Sequence, residues 1–430
     1  MTPPPAPTSP TSPTAPTAPS ASARPMWTPW RTVFAFGLVS LAADMVYEGM
    51  RAMAGPFLGS LGASALTVGL ITGAGEAVAL VLRLVTGPWA DRGRRHWRLT
   101  VVGYAMTAVC VPLLAVTPFL GSAGLAVAAT LIVLERTGKA VRSPAKSALL
   151  AGMATATGRG KGFAVHKALD QVGAFSGPLL LAGIAALTGL LWPGFAVLAV
   201  PGAVAMVLLA QLRRRAPIAT RAAPEEDEPA DRPARGAWAE VRSAAVGADL
   251  PRAFHLFSLA AALTTVGLMT FGVISYRFVE TGLVPAAVVP LVYAVAMAVA
   301  ALAALATGGM FDRWGGRVLL TVPVLVAVVP WCVFTDRLGL VLVGVVAWGA
   351  AAGVQDSTVK AYVADLVPAG RRATAYGVFA AVQGVGALAG GALAGALVEL
   401  HVAVLGVLVV ALQVGAAALL WWTTRNRGTA

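Results

Sequence analysis

Apolar residues along this 430-residue chain fall in long runs, parted by short segments rich in Gly, Pro and Arg. A helix needs about 20 residues, at roughly 1.5 Å each, to cross the hydrocarbon core of a bilayer. Runs of that length predict twelve spanning helices: 32–56, 65–88, 99–118, 122–142, 162–187, 190–211, 253–279, 285–309, 318–334, 338–362, 373–399 and 402–422. Residues 1–25 carry Pro, Thr, Ser and Ala with no apolar stripe, which predicts a disordered tail. They lack the apolar core of a signal peptide, so the first span is expected to serve as the targeting signal. The division that follows is a tail at 1–25, a six-helix bundle at 26–212, a linker at 213–252, a second bundle at 253–423 and a tail at 424–430. The linker mixes basic residues with the acidic run Glu225, Glu226, Asp227, Glu228.

Composition agrees with a membrane protein. Apolar residues make up 58% of the chain and charged residues 12%, against about 25% charged in a soluble domain. Mean hydropathy is +0.78. A net charge of +13 would suit nucleic acid only if it formed one patch. Here it is spread as short clusters between spans. Of the 32 Lys and Arg, only Arg277 and Arg337 fall at span ends on the side away from the N-terminus. The positive-inside rule then puts both termini and the linker in the cytoplasm, with the chain in the cell membrane. Cys110 and Cys332 lie inside apolar runs and read as small buried hydrophobes. No metal-ligand spacing, phosphate loop or Ser-His-Asp arrangement occurs. The chain is therefore not expected to be an enzyme or to hold a metal or cofactor. Its expected partners are the lipid bilayer and a small-molecule substrate, with no nucleic acid, and it is expected to be a monomer.

Charges at membrane depth are costly and mark function. Asp44 is predicted about 18 Å into the first span, Glu76 about 16 Å into the second, and Glu135 and Arg136 about 20 Å into the fourth. Glu48 is one turn from Asp44, and Lys139 one turn from Glu135 and Arg136. Asp170 is one turn from His166 and Lys167. Three central acids face one central arginine on this count, so one carboxylate is expected without a partner. Such a group can load and release a proton, or be matched by a cationic substrate or Na⁺. The C-terminal spans place only Asp356 and Lys360 at depth, and are expected to supply an apolar wall that Tyr293, Trp331 and Trp348 could line.

The halves repeat one another at an offset of about 213–221 residues. Ser40-Leu-Ala-Ala43 recurs as Ser258-Leu-Ala-Ala261, and Ser143-x-x-Lys146 as Ser357-x-x-Lys360. Gly173-x-x-x-Gly177 recurs as Gly386-x-x-x-Gly390, spacing that suits close helix packing. Gly87-x-x-x-Asp91-Arg92 recurs as Gly308-x-x-x-Asp312-Arg313. Two parallel halves around a central path are a transporter plan.

Gly87-Pro-Trp-Ala-Asp91-Arg92-Gly93-Arg94-Arg95 resembles the loop 2–3 signature of the major facilitator superfamily, and Gly308 to Arg317 resembles its echo between spans 8 and 9. The resemblance implies an all-α integral membrane fold of two pseudo-symmetric six-helix bundles. It also implies a cytoplasmic latch in which Gly87 allows close helix approach and Asp91, Arg92, Arg95, Asp312 and Arg313 hold the halves together. Gly173-Ala-Phe-Ser-Gly177-Pro178 resembles the start of the signature of the superfamily's drug/proton antiporters, with Leu181-Ala182 where that signature ends in a Gly pair. Arg136 resembles the span 4 arginine of proton-coupled members, with Ala140 at the usual glycine. The function implied is proton-gradient-driven efflux of a small organic molecule, with Asp44, Glu48, Glu76, Glu135, Arg136, Lys139 and Asp170 along the path. An importer, an uncoupled facilitator or a non-transporting membrane sensor are the alternatives.

Overall fold

A computed structural model of the chain describes residues 27–91, 95–154, 157–215, 250–368 and 371–425. The predicted tail 1–25, the bulk of the linker (216–249) and residues 426–430 lie outside the described residues. Those that are described form helices and turns, with no strand among them.

The first half holds α1 (Pro29–Ser60), α2 (Ala65–Val81), α3 (Arg83–Asp91), α4 (His96–Leu113), α5 (Gly124–Ala154), α6 (Arg159–Thr188), α7 (Trp192–Val197) and α8 (Ala199–Arg215). The second holds α9 (Arg252–Leu268), α10 (Phe271–Glu280), α11 (Val289–Trp314), α12 (Thr321–Val333), α13 (Leu338–Asp356), α14 (Thr358–Leu366), α15 (Arg372–Leu397) and α16 (Val402–Arg425). Local chemistry sets several boundaries. Thr28 caps α1 by accepting from the Arg31 amide, with Pro29 in the first turn, where a missing N–H costs nothing. Ser64 caps α2 by accepting from the Thr67 amide.

Ten stretches are long and apolar enough to cross a membrane. One of them, Val289–Val333, runs 45 residues and contains both α11 and α12, parted at Gly315, where φ is +59°. The 31-residue α5 is too charged to be among the ten, because Glu135, Arg136, Lys139, Arg142 and Lys146 all lie within it. Leu187, Leu302, Leu305 and Leu400 stand exposed on the outside of the bundle, as expected where lipid replaces water.

The predicted glycine repeat reappears as a repeated contact. A Cβ at Gly173 or Gly177 on α6 would strike the carbonyl oxygens of Leu41 and Met45 on α1. A Cβ at Gly386 or Gly390 on α15 would meet those of Ala262 and Val266 on α9. Only glycine permits these paired backbone approaches. Pro178 sits inside α6, next to the second of them.

The halves meet where α1, α2 and α6 pack on α10, α15 and α11. Gly69 of α2 and Gly391 of α15 face each other backbone to backbone. At the loop 1–2 end of this seam, Glu399 accepts from the Ala65 amide at 3.0 Å and from the Tyr276 hydroxyl at 3.1 Å. That carboxylate caps the start of α2 from the opposite half.

Two spans of the second half are broken. Between α9 and α10, Met269 adopts φ 49°, the one non-glycine residue with positive φ among the described residues. The Trp348 indole donates to the Leu268 carbonyl at 3.0 Å and satisfies an acceptor that the break frees. Ser357 parts α13 from α14 with a negative φ of -112°, a milder break than the one at Met269.

Candidate functional site

α1, α2 and α5 carry the central charges, and they meet in the interior of the first half. Arg51 on α1 reaches Glu76 of α2 at 3.0 Å and Glu48, one turn back, at 3.5 Å. Arg136 on α5 reaches the same Glu76 oxygen at 3.4 Å through Nη2, and Glu135 at 3.7 Å through Nε. Glu135 is fully buried and also accepts from the Thr107 hydroxyl at 3.0 Å, with Arg142 at 3.9 Å. Arg142 in turn bonds Thr107 and lies over the Tyr104 ring. The result is one continuous ion-pair chain, Glu48–Arg51–Glu76–Arg136–Glu135–Arg142.

Tyr47 organises this chain. Its ring has Lys139 at 3.7 Å, Arg136 at 4.5 Å and Arg51 at 5.7 Å from its centroid. Its hydroxyl accepts from Lys139 at 2.5 Å. The ring's negative face offsets some of the repulsion among three cations. Lys139 makes no ion pair among the described residues, although it is one turn from Glu135.

A second polar group lies toward the loop 2–3 end. Ser40 shares hydrogen bonds of 3.0 Å with the Tyr104 hydroxyl and with His166 Nε2. His166 Nδ1 is 3.6 Å from Asp170, and Lys146 is 3.4 Å from the same carboxylate. Lys146 of α5, not Lys167, is therefore the lysine that pairs with Asp170, because Lys167 is exposed. Asp44 stands between the two groups. It is half-buried, has no hydrogen bond or ion pair among the described residues, and feels the charges of Asp170, Lys146, Arg142 and Glu48.

The expected excess of acid over base at the midplane is corrected by this geometry. Two arginines missing from that count join the cluster. Arg51 falls inside the predicted first span, 32–56, and lies within α1, which continues to Ser60. The predicted fourth span ended at residue 142, but α5 continues to Ala154 and buries Arg142. Cations therefore outnumber acids around Glu76, and Asp44 is the acid left without a partner.

The expected C-terminal wall is present but carries one polar contact. Phe271, Tyr293 and Trp348 cluster with ring centroids 4.8–6.5 Å apart. The Tyr293 hydroxyl crosses to Glu48 and donates at 2.5 Å. Trp331 is not part of this wall; it is half-exposed and packs on Gly406. A cavity of about 20 Å³, room for about one water, separates the halves here and is lined by Arg51, Glu76 and Arg136 on one side and by Thr270, Phe271 and Gly272 on the other.

The loop motif residues are only partly described. Arg92 and the side chain of Asp91 lie outside the described residues. Arg95 lies 6.0 Å over the Trp89 ring. Asp312 and Arg313 are exposed and make no ion pair among the described residues. A Cβ at Gly87 or Gly308 would meet nothing within 4 Å among the described residues, so no described residue makes the close approach expected at Gly87.

Residues 34–329 and 284–430 match the family model of the Major Facilitator Superfamily. An uncharacterized protein of Mycobacterium tuberculosis is 47% identical over 408 residues, covering 93% of this chain and 94% of its own length. An uncharacterized MFS-type transporter of Methanocaldococcus jannaschii is 24% identical over 382 residues, covering 85% of this chain and 88% of its own. Among solved structures, a mutant of the nucleoside transporter NupG shares the fold with a TM-score of 0.72, over 92% of this chain and 99% of its own, at 12% identity. The chain belongs to the Major Facilitator Superfamily and is a multi-span membrane transport protein.

Proposed function

We propose that this chain is a secondary active transporter that exports a small organic molecule by alternating access, in exchange for protons. In this reading twelve helices cross the cell membrane as two six-helix bundles, and both termini face the cytoplasm. Counting α11 and α12 separately, and adding α5 with its paired charges, supports the number. The scarcity of Lys and Arg at the loop 1–2 end supports the orientation. The chain works as a monomer and needs no cofactor beyond the proton gradient.

Asp44 is the observation that carries the reading. Glu48, Glu76, Glu135 and Asp170 each have a cationic partner within 4 Å. Asp44 alone among these acids has none among the described residues. A partnerless carboxylate in a poorly solvated site exchanges a proton at lower cost than a paired one, since protonation breaks no ion pair. Its place on α1, between the ion-pair chain and the Ser40–His166–Asp170 group, lets it sense rearrangement of either. A scaffold protein gains nothing from a partnerless acid at membrane depth.

The test compares small molecules inside and outside cells that express the chain or an empty vector. Compounds enriched outside only with the chain are the expected result, and they name the substrate. Enrichment inside the cells would reverse the direction. Identical profiles, with the protein present in the membrane, would sink active export.

A further inference from the structure

The cavity between the halves has the chemistry of an anion site, and the geometry points to a small organic anion as the transported molecule, with its carboxylate between Arg136, Arg51 and the start of α10. This inference rests on the transport reading and adds the substrate class.

Three independent features converge there. Arg136 is only 5% exposed, lines the cavity, and keeps Nη1 without any hydrogen-bond partner. A buried guanidinium N–H left unmatched is costly and calls for an acceptor. On the opposite wall, α10 begins at Phe271 beside the Met269 break, and Thr270, Phe271 and Gly272 line the same cavity. The first amides of a helix have no acceptor within it and carry its positive end. The Thr270 side chain does not cap them; its hydroxyl is 2.7 Å from the Thr72 hydroxyl instead. Broken membrane helices whose N-termini meet an anionic group are a recurring way to bind one.

The third feature is the charge count. Glu48, Glu76 and Glu135 are set against Arg51, Arg136, Arg142 and Lys139. With Asp44 protonated, one positive charge is left over, and three of these cations surround the Tyr47 ring. A cationic ligand would add to that surplus, and an anionic one cancels it. The rest of the lining is apolar: Met50, Ala54 and Ile132, with Phe271 backed by Tyr293 and Trp348. A carboxylate with an aromatic or apolar body matches both parts. At about 20 Å³ the cavity holds the anionic end only once the halves have moved apart.

The test is calorimetric titration of the purified full-length chain with benzoate, its uncharged analogue benzamide, its cationic analogue benzylamine, and sulfate. Benzoate is expected to bind at least about tenfold more tightly than the other three. Arg136→Lys keeps the charge but loses the forked donors, and is expected to weaken benzoate about tenfold. Thr270→Asp sets a tethered carboxylate at the start of α10, where Asp is a favoured cap. It should abolish benzoate binding without lowering Tm, and it decides the matter if Arg136→Lys fails to fold. Equal or tighter binding of benzamide or benzylamine overturns the inference. So does binding of sulfate alone, which would make the site one for inorganic anions. No binding of any probe overturns it as well. Binding requires no translocation, so a chain that binds benzoate but exports nothing refutes the transport reading alone. A chain that exports a compound and ignores benzoate refutes the anion site alone.

Discussion

The two halves of this protein share their packing and differ in their interiors. Gly173 and Gly177 press α6 onto the backbone of α1, and Gly386 and Gly390 press α15 onto the backbone of α9 at matching positions. Inside the first half, however, lies an ion-pair chain from Glu48 to Arg142. The matching space in the second half is filled by Phe271, Tyr293 and Trp348, with Phe257, Phe379 and Tyr362 beyond them. Helix contact is set by shape, which a repeat preserves easily. Buried charge is set by mutual compensation, so it survives only as a complete set. One half holds that set, and the other offers it a wall and a single hydroxyl.

The comparison breaks first at Arg136. Arg136→Met leaves Glu76 with one cation and Glu135 with a distant one. A loss of about 3–5 kcal/mol is expected, along with transport, from leaving buried charge uncompensated. Trp348→Phe, at the corresponding place in the aromatic wall, should cost far less, on the order of 1 kcal/mol for its hydrogen bond to Leu268. Thermal unfolding of both variants checks this, and equal losses would contradict the division between the halves.

Gly177→Leu and Gly390→Leu sharpen the shared part of the comparison. Each side chain would enter a backbone contact, on Met45 and on Val266, and each should cost about 1–3 kcal/mol. Unfolding midpoints lowered in one variant only would show that the repeat is not mechanical. Glu399→Gln weakens the carboxylate that joins α2 and Tyr276 across the seam. It should cost about 1 kcal/mol and make a cysteine placed at residue 65 more reactive to a water-soluble thiol reagent. The smallest effect is expected at Gly87→Ala, within about 0.5 kcal/mol, because the added methyl meets open space among the described residues. A larger loss in stability would restore the close approach that the loop motif suggests.

Much of this arrangement was legible in the pattern of the chain. Apolar run length located the long apolar helices, because crossing a membrane demands about 20 largely apolar residues in succession. The repeat located Gly173, Gly177, Gly386 and Gly390, because close backbone contact demands glycine. Charge partners were harder to read. Run length underestimated α1, which continues past Pro56, and α5, which continues past Ser143 and Pro144, and the count of central charges left out Arg51 and Arg142. Tyr47 gave no signal, because an aromatic residue in an apolar run is ordinary until three cations are seen around it. The reach of Tyr293 to Glu48 and of Glu399 to Ala65 depends on contacts between halves more than 200 residues apart in sequence, which no local spacing records.

The central claim is that Asp44 couples transport to protons. The most direct test reconstitutes wild type and Asp44→Asn in vesicles and follows the exported compound against a concentration gradient, with a pH gradient imposed and then collapsed by a protonophore. The account predicts uphill movement by wild type that stops when the gradient collapses, and by Asp44→Asn only downhill equilibration, with an unchanged Tm. Uphill, protonophore-sensitive movement by Asp44→Asn at the wild-type rate would contradict it.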